Sequence, residues 1–198
     1  MATVAVHPAT VELVTDTEVA RWRPFVQWML AIPHLLVIHV LTSLRCVLTL
    51  ISLVSVLFTR QIPRPVFDAI TMTYRYEWRT ISYALALHDA YPPFDLNPAA
   101  EDDGRQPAGQ LSVRYPGELD RWKPLYKWLL AAPHYVVVLA LVIASVATVV
   151  AGALAVLVTG RYPAGARRFL VGAYRYGTRV EAYVGLLTDE YPPFRLAA

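Results

Sequence analysis

The segment RWRPFVQWMLAIPH at residues 21–34 occurs a second time, with few changes, as RWKPLYKWLLAAPH at residues 121–134. The similarity extends well beyond these two segments. Over residues 13–96 and 113–196, 27 of 84 positions are identical at a constant offset of 100, without any gap. Self-similarity at a fixed offset indicates a tandem duplication. The chain is therefore predicted to consist of two copies of one structural unit.

The two copies are predicted to occupy residues 1–96 and 111–198, with a linker at 97–110. The linker sequence NPAAEDDGRQPAGQ is polar, rich in Pro, Gly and Ala, and without periodicity, which indicates a flexible connection. Each copy begins with a short extended segment, near 11–15 and 111–115, that could form a strand.

The composition favours a membrane protein. The chain of 198 residues is 56% hydrophobic and 17% charged, with a mean hydropathy of +0.40, whereas soluble domains are about 25% charged. The net charge of +3 is too small to indicate a nucleic-acid partner. Membrane lipids are the partners that this composition predicts.

Two apolar runs of 31 residues each, 28–58 and 128–158, stand out along the chain. Because about 20 apolar residues span a bilayer, each run predicts a long hydrophobic helix or a helical hairpin. A proline ends or kinks a helix, so Pro33 and Pro133 are expected to break the runs near their starts. The predicted spans are 34–58 and 134–158.

An amphipathic helix is predicted after each run, at about 64–88 and 164–188. Arginine and tyrosine recur on it every four residues, which places them on one face, and such a helix is expected to lie in the membrane interface. Tryptophans near the start of each run also suit the headgroup region. The predicted lipid-headgroup or interface residues are Arg75, Arg79, Tyr83, Arg175, Arg179, Tyr183, Trp22, Trp28, Trp122 and Trp128.

Three further residues are predicted to bind a partner. Arg45 lies in the middle of the first apolar run, where a charge needs a partner or must reach the headgroups. His34 and His134 each follow a proline at the start of a span. They either form a partner-binding site for a proton or a metal, shared between the two copies, or cap the freed helix start. No carboxylate or cysteine stands at ligand spacing from the histidines, so no metal site is expected.

The orientation of the two copies is open from the sequence. If each copy crosses the membrane once, the second copy is inverted relative to the first. An even number of crossings gives both copies the same orientation, which the repeated motifs favour because they suggest like environments. Basic residues at both ends of the spans leave the choice undecided.

The order of motifs RWxPLxKWLLAxPH, TGRYP, YRYxxR and LLTDEYPPF resembles an actinobacterial family of integral membrane proteins that is catalogued as a domain of unknown function. The second copy matches these motifs more closely, since the first has TRQIP at 59–63 and ALHDAYPPF at 86–94 instead. The resemblance implies an integral protein of an actinobacterial cell membrane and no particular activity.

No enzyme signature is present: the sequence lacks GxSxG, a P-loop, HExxH and a Rossmann glycine pattern. We therefore expect a mainly α-helical, non-enzymatic protein of the bacterial inner membrane, without a cofactor. It is expected to act as an accessory or scaffold subunit that binds other membrane subunits or itself. The alternative is a lipid-binding or lipid-transport component. A homo-oligomeric pore has less support, because the spans lack a regular polar face.

Overall fold

The structure, a computed structural model, describes residues 7–13, 20–98 and 110–196. It confirms a mainly α-helical fold with two long apolar helices, one in each repeat. Short strands also form close to both segments predicted as extended, although residues 14–15 of the first lie outside the described part. The elements are β1 (Ala9–Glu12), α1 (Arg23–Thr59), α2 (Arg64–Ala84), β2 (Gln110–Val113), α3 (Lys123–Leu130), α4 (Ala132–Thr159) and α5 (Ala164–Val184).

The predicted linker falls almost wholly outside the described residues, which exclude 99–109. Its last residue, Gln110, belongs to β2.

The equivalent prolines Pro33 and Pro133 differ in their effect on the helix that contains them. In the second repeat, the helix breaks at Ala131 between α3 and α4, two residues before Pro133, much as the sequence predicts. In the first repeat, α1 continues through Pro33 as one helix of 37 residues, so the break expected there is wrong. A proline inside a helix removes one backbone donor, and α1 tolerates that loss.

The helices α2 and α5 begin directly after Pro63 and Pro163, as predicted, but end about four residues early. Ala86 and Leu186 turn the chain out of each helix with left-handed φ angles of 54° and 68°. The Leu87 N–H then donates to the Ser82 carbonyl oxygen at 3.1 Å, the bond that closes a Schellman motif. This turn directs the YPPF segment of each repeat back toward the start of its apolar helix.

A local two-fold axis relates the repeats. The strands β1 and β2 pair antiparallel, with Val11 opposite Leu111 and Ala9 opposite Val113. Since Val11 and Leu111 are equivalent positions of the two repeats, the axis passes through this pair. Near the axis, the Trp78 ring of α2 stacks on the Tyr174 ring of α5 with centroids 4.2 Å apart.

The two apolar helices run in opposite directions. The end of α1 lies beside the start of the second repeat, where the Leu119 N–H donates to the Arg60 carbonyl oxygen at 2.8 Å. Earlier α1 residues line one cavity with Tyr135 and Val138 of α4: Arg45, Cys46, Thr49 and Leu50. As α1 advances, its neighbours therefore come from earlier in the second repeat. Two antiparallel helices that each span the membrane place the repeats in opposite orientations. The common orientation that the duplication favoured is therefore wrong for this arrangement.

Both apolar helices leave their outer faces uncovered. The segments Val26–Thr59 and Ala132–Thr159 are long and apolar enough to cross a membrane, and only 17% and 6% of their most apolar windows are buried inside the protein. The helices predicted as interfacial, α2 and α5, instead pack against the rest of the protein. Thirteen of the 21 residues of α2 are buried, because it packs between α1 and the other repeat. The amphipathic pattern is therefore an internal packing pattern, which corrects the expected interfacial position.

Candidate functional site

The shared motifs of each repeat meet in an aromatic box around one histidine. In the first repeat, His34 Nδ1 and the Tyr76 hydroxyl share a hydrogen bond of 2.7 Å. The Phe94 ring stacks on the imidazole at 4.0 Å and 12°, and the Tyr91 ring meets it edge-on at 5.0 Å. His34 is 0% exposed. The box joins the PH motif of α1 to the YRY motif of α2 and to YPPF.

The second repeat builds the same box with nearly the same geometry. His134 Nδ1 lies 2.6 Å from the Tyr176 hydroxyl, and Phe194 stacks on the imidazole at 4.1 Å and 8°. Both histidines are enclosed by their own repeat, so neither offers a surface to another subunit; the predicted partner-binding role of His34 and His134 is corrected. Among the described residues, no three His, Cys, Asp or Glu side chains are grouped so that they could hold a metal ion.

Three of the four arginines predicted to bind headgroups, Arg75, Arg79 and Arg179, are buried, and Arg175 is half-buried. Arg75 Nε donates to the Leu111 carbonyl oxygen at 3.3 Å, and Arg175 Nη2 donates to the Val11 carbonyl oxygen at 2.9 Å. Each arginine thus reaches the strand of the other repeat, at the pair through which the two-fold axis passes. A guanidinium that binds backbone carbonyl groups holds the two repeats together.

The second pair of arginines binds the C-terminal segment of its own repeat. Arg79 lies 4.0 Å from the Asp95 carboxylate, and Arg179 Nη1 donates to the Arg195 carbonyl oxygen at 3.3 Å. Burial lowers the pKa of Arg179, with further contributions from neighbouring arginines. The expected exposed stripe of arginines is therefore absent from the described surface.

The other predicted interface residues divide into two groups. Tyr83 and Tyr183 are buried beside the YPPF tyrosines, with ring centroids 5.4 and 5.6 Å apart. The four tryptophans instead face outward, with more than half of each side chain exposed, as interfacial anchoring requires. These tryptophans are Trp22, Trp28, Trp122 and Trp128.

Arg45 finds its partner within the first repeat, which corrects the predicted contact with another subunit. Its Nη2 donates to Glu77 Oε2 of α2 at 2.7 Å, and its guanidinium carbon lies 4.1 Å from the centroid of the Tyr74 ring. Such a cation–π contact stabilises a desolvated cation. The side chains of Arg45 and Glu77 are only 13% and 18% exposed.

Glu181 of α5 completes a central ionic cluster, which we define as Arg45, Glu77, Glu181, Tyr74 and Tyr174. The Glu181 side chain opens into two cavities, of 410 and 590 Å³. Desolvation by the surrounding helices raises its pKa to about 7; repulsion by Glu77 adds to this shift and Arg45 opposes it. Burial also raises the pKa of Tyr174 well above its ordinary value. The cluster therefore holds a carboxyl group that changes charge near neutral pH.

Sequence reasoning missed Glu77 and Glu181, although a signal was available. Both lie at positions where the repeats differ, since Gly177 and Ile81 are their counterparts. Lys127 was missed as well. It is 1% exposed, its Nζ lies 2.7 Å from Asp189 Oδ1, and burial lowers its pKa despite that carboxylate.

The fold and the cluster define a class: a helical tandem-repeat protein with local two-fold symmetry, two uncovered apolar helices and a polar centre. The family model described as "Domain of unknown function (DUF4389)" matches the chain twice, at residues 21–95 and 121–195. The chain belongs to this family, and the two matches confirm the tandem duplication. No curated protein and no solved structure matches the chain.

Proposed function

We propose that this protein is a non-enzymatic integral protein of the bacterial inner membrane that acts as an accessory or scaffold subunit of a larger membrane complex. The observation that carries the proposal is the uncovered state of both apolar helices. Only 17% of the α1 window and 6% of the α4 window are buried within the chain. The helices that carry most of the polar groups, α2 and α5, pack within the protein instead.

The exposed face of α4 supports contact with another helix. Small side chains let transmembrane helix backbones approach closely. Four alanines follow one face of α4, where the first repeat has the larger side chains of Val40, Leu44, Val47 and Ile51. The alanines are Ala140, Ala144, Ala147 and Ala151. This face fits a second membrane helix, from another subunit or from a second copy of this chain.

Affinity purification of the tagged full chain from its native membranes, in a mild detergent, tests the proposal. A stoichiometric partner is expected, and the double variant Ala147→Leu/Ala151→Leu is expected to lose it because the added side chains separate the backbones. The matched control, Val47→Leu/Ile51→Leu on α1, is expected to retain it. If the wild-type chain is recovered as a monomer without a partner, the accessory role is wrong.

Lipid binding is the second candidate, and the exposed tryptophans favour it. Replacement of Trp22, Trp28, Trp122 and Trp128 by leucine is expected to reduce the lipid that co-purifies with the chain. Arg175→Gln should leave lipid retention unchanged, because this arginine binds the Val11 carbonyl oxygen inside the fold. Lipidomics on the same eluates separates the two candidates: unchanged lipid in the tryptophan variant would remove the second.

A further inference from the structure

The two repeats fill equivalent positions of the fold differently. In the first repeat, Arg45 lies against the Tyr74 ring and pairs with Glu77. The corresponding residues of the second repeat are Ser145, Tyr174 and Gly177. Together they line a cavity of 410 Å³. The short side chains at 145 and 177 leave this cavity where the first repeat has an ion pair.

This cavity combines one carboxyl group with an apolar wall. Glu181 lines it, and no other described residue forms an ion pair or a side-chain hydrogen bond with Glu181. The Glu181 side chain is exposed and faces this cavity. One wall comes from α4 and is hydrocarbon over about three turns, formed by Val138, Leu141, Val142, Val146 and Val149.

The size and chemistry of the cavity indicate its ligand. Sites for small molecules usually enclose about 300–1,000 Å³ and combine apolar walls with a few polar groups. A carboxylate among apolar walls is stabilised by a cation, and Arg45 on Tyr74 shows that this fold accepts a cation against the equivalent aromatic ring. The apolar wall along α4 suits an alkyl chain, which is stabilised in proportion to the area it buries.

We propose that the second repeat binds an amphiphilic organic cation, of the alkylammonium or alkylguanidinium class. Its cationic head lies between Glu181 and Tyr174, and its alkyl chain follows α4. In this arrangement the ligand takes the place that Arg45 occupies in the first repeat. The proposal concerns a small-molecule site and stands independently of the scaffold role.

Binding of decylguanidinium to the full chain in nanodiscs of neutral lipid tests the proposal, with empty nanodiscs subtracted. Saturable binding with one site per chain is expected. Decanol and decanoate, which have the same chain length, should bind at least tenfold more weakly. This comparison uses only the wild-type protein, so folding of a variant does not affect it. Equal binding of decanol and decylguanidinium, or no binding above that of empty nanodiscs, would overturn the proposal.

Two variants of residues that line the cavity test whether the ligand binds there. Glu181→Gln keeps the shape of the side chain and should weaken decylguanidinium binding at least tenfold. Ser145→Arg/Gly177→Glu builds the ion pair of the first repeat into the cavity and should abolish binding; a Cβ at Gly177 has nothing within 4 Å. The control is Gly117→Ala, also without a neighbour within 4 Å of the added Cβ and outside the cavity lining. Wild-type affinity in both cavity variants would place the ligand elsewhere and contradict the proposal.

Discussion

In the first repeat, Arg45 and Glu77 form an ion pair against the ring of Tyr74, whereas Ser145 and Gly177 line a cavity beside Tyr174 in the second. The histidine boxes show no such difference. Their hydrogen bonds are 2.7 and 2.6 Å long, and their stacked rings are 4.0 and 4.1 Å apart. The histidine boxes, which close each repeat on itself, have stayed the same, whereas the positions of the Arg45–Glu77 ion pair have diverged. The histidine boxes therefore have a structural role in both repeats, and the proposed ligand site uses positions at which the repeats differ.

The largest expected effect comes from breaking the ion pair that distinguishes the repeats. Arg45→Ser leaves Glu77 without its cation in a largely enclosed place, and removal of one member of a buried pair costs about 3 kcal/mol of unfolding free energy. Arg45→Ser/Glu77→Gln should cost about half as much, because no uncompensated charge remains. Denaturant unfolding in detergent measures both values. Ser145→Ala is the control and should change stability by less than about 0.5 kcal/mol; equal losses in the single and double variants would show that the charge pair is unimportant.

The histidine boxes should respond equally in the two repeats. His34→Ala and His134→Ala each remove one hydrogen bond and one stacked ring from a buried place, for about 2 kcal/mol each. The same unfolding experiment compares them, with His39→Ala on the exposed surface of α1 as the control. A difference between the two box variants of more than about 1 kcal/mol would contradict the common structural role.

The smallest effect is a pH dependence carried by Glu181, whose counterpart in the first repeat is Ile81. The pKa of Glu181 is about 7 in the folded chain, above its ordinary value of 4.5, so the unfolded chain loses this proton at lower pH than the folded one. Its contribution to stability is therefore full below pH 4.5, declines as the pH rises toward 7 and is constant above. The charged and titratable groups around it are the other members of the central ionic cluster: Arg45, Glu77, Tyr74 and Tyr174.

Thermal unfolding of the wild type and of Glu181→Gln between pH 4.5 and 8 measures this decline as the difference between the two pH profiles, because the buried histidines contribute equally to both. Glu181→Gln should remove part of the slope, whereas Glu118→Gln should keep it, because the Glu118 side chain is 73% exposed. An unchanged slope in Glu181→Gln would mean that this carboxyl group ionises as it does in water.

Periodicity and repetition predicted the helices well but could not tell what covers them. The α2 pattern is the same whether its polar face meets lipid headgroups or protein, and only the fold shows that Arg75 reaches the Leu111 carbonyl oxygen. The long apolar helices were predictable because their length and composition are properties of the local sequence. The antiparallel pairing of β1 with β2 depends on contacts 102 residues apart, such as the 2.8 Å hydrogen bond between Thr10 and Ser112.

The candidate site was the least predictable part. The identical residues pointed to His34 and His134, which the structure encloses. Arg45 stood out as a charge within an apolar run, but the sequence suggested no partner for it within the chain. Glu77 and Glu181, the two acidic residues of the central ionic cluster, lie at positions where the two copies differ. In a duplicated chain, a charged residue whose counterpart is glycine or isoleucine is therefore a useful indication of a candidate site.

Labelling of single cysteines in sealed membrane vesicles tests the central claim most directly: two equivalent repeats that cross the membrane in opposite directions. Cys46, the one cysteine of the chain, is replaced by serine, and Gln61→Cys and Arg161→Cys are introduced separately at exposed positions after each apolar helix. With a membrane-impermeant maleimide, the antiparallel arrangement predicts that right-side-out vesicles label one of the two and inside-out vesicles label the other. Labelling of both cysteines from the same side would contradict the account.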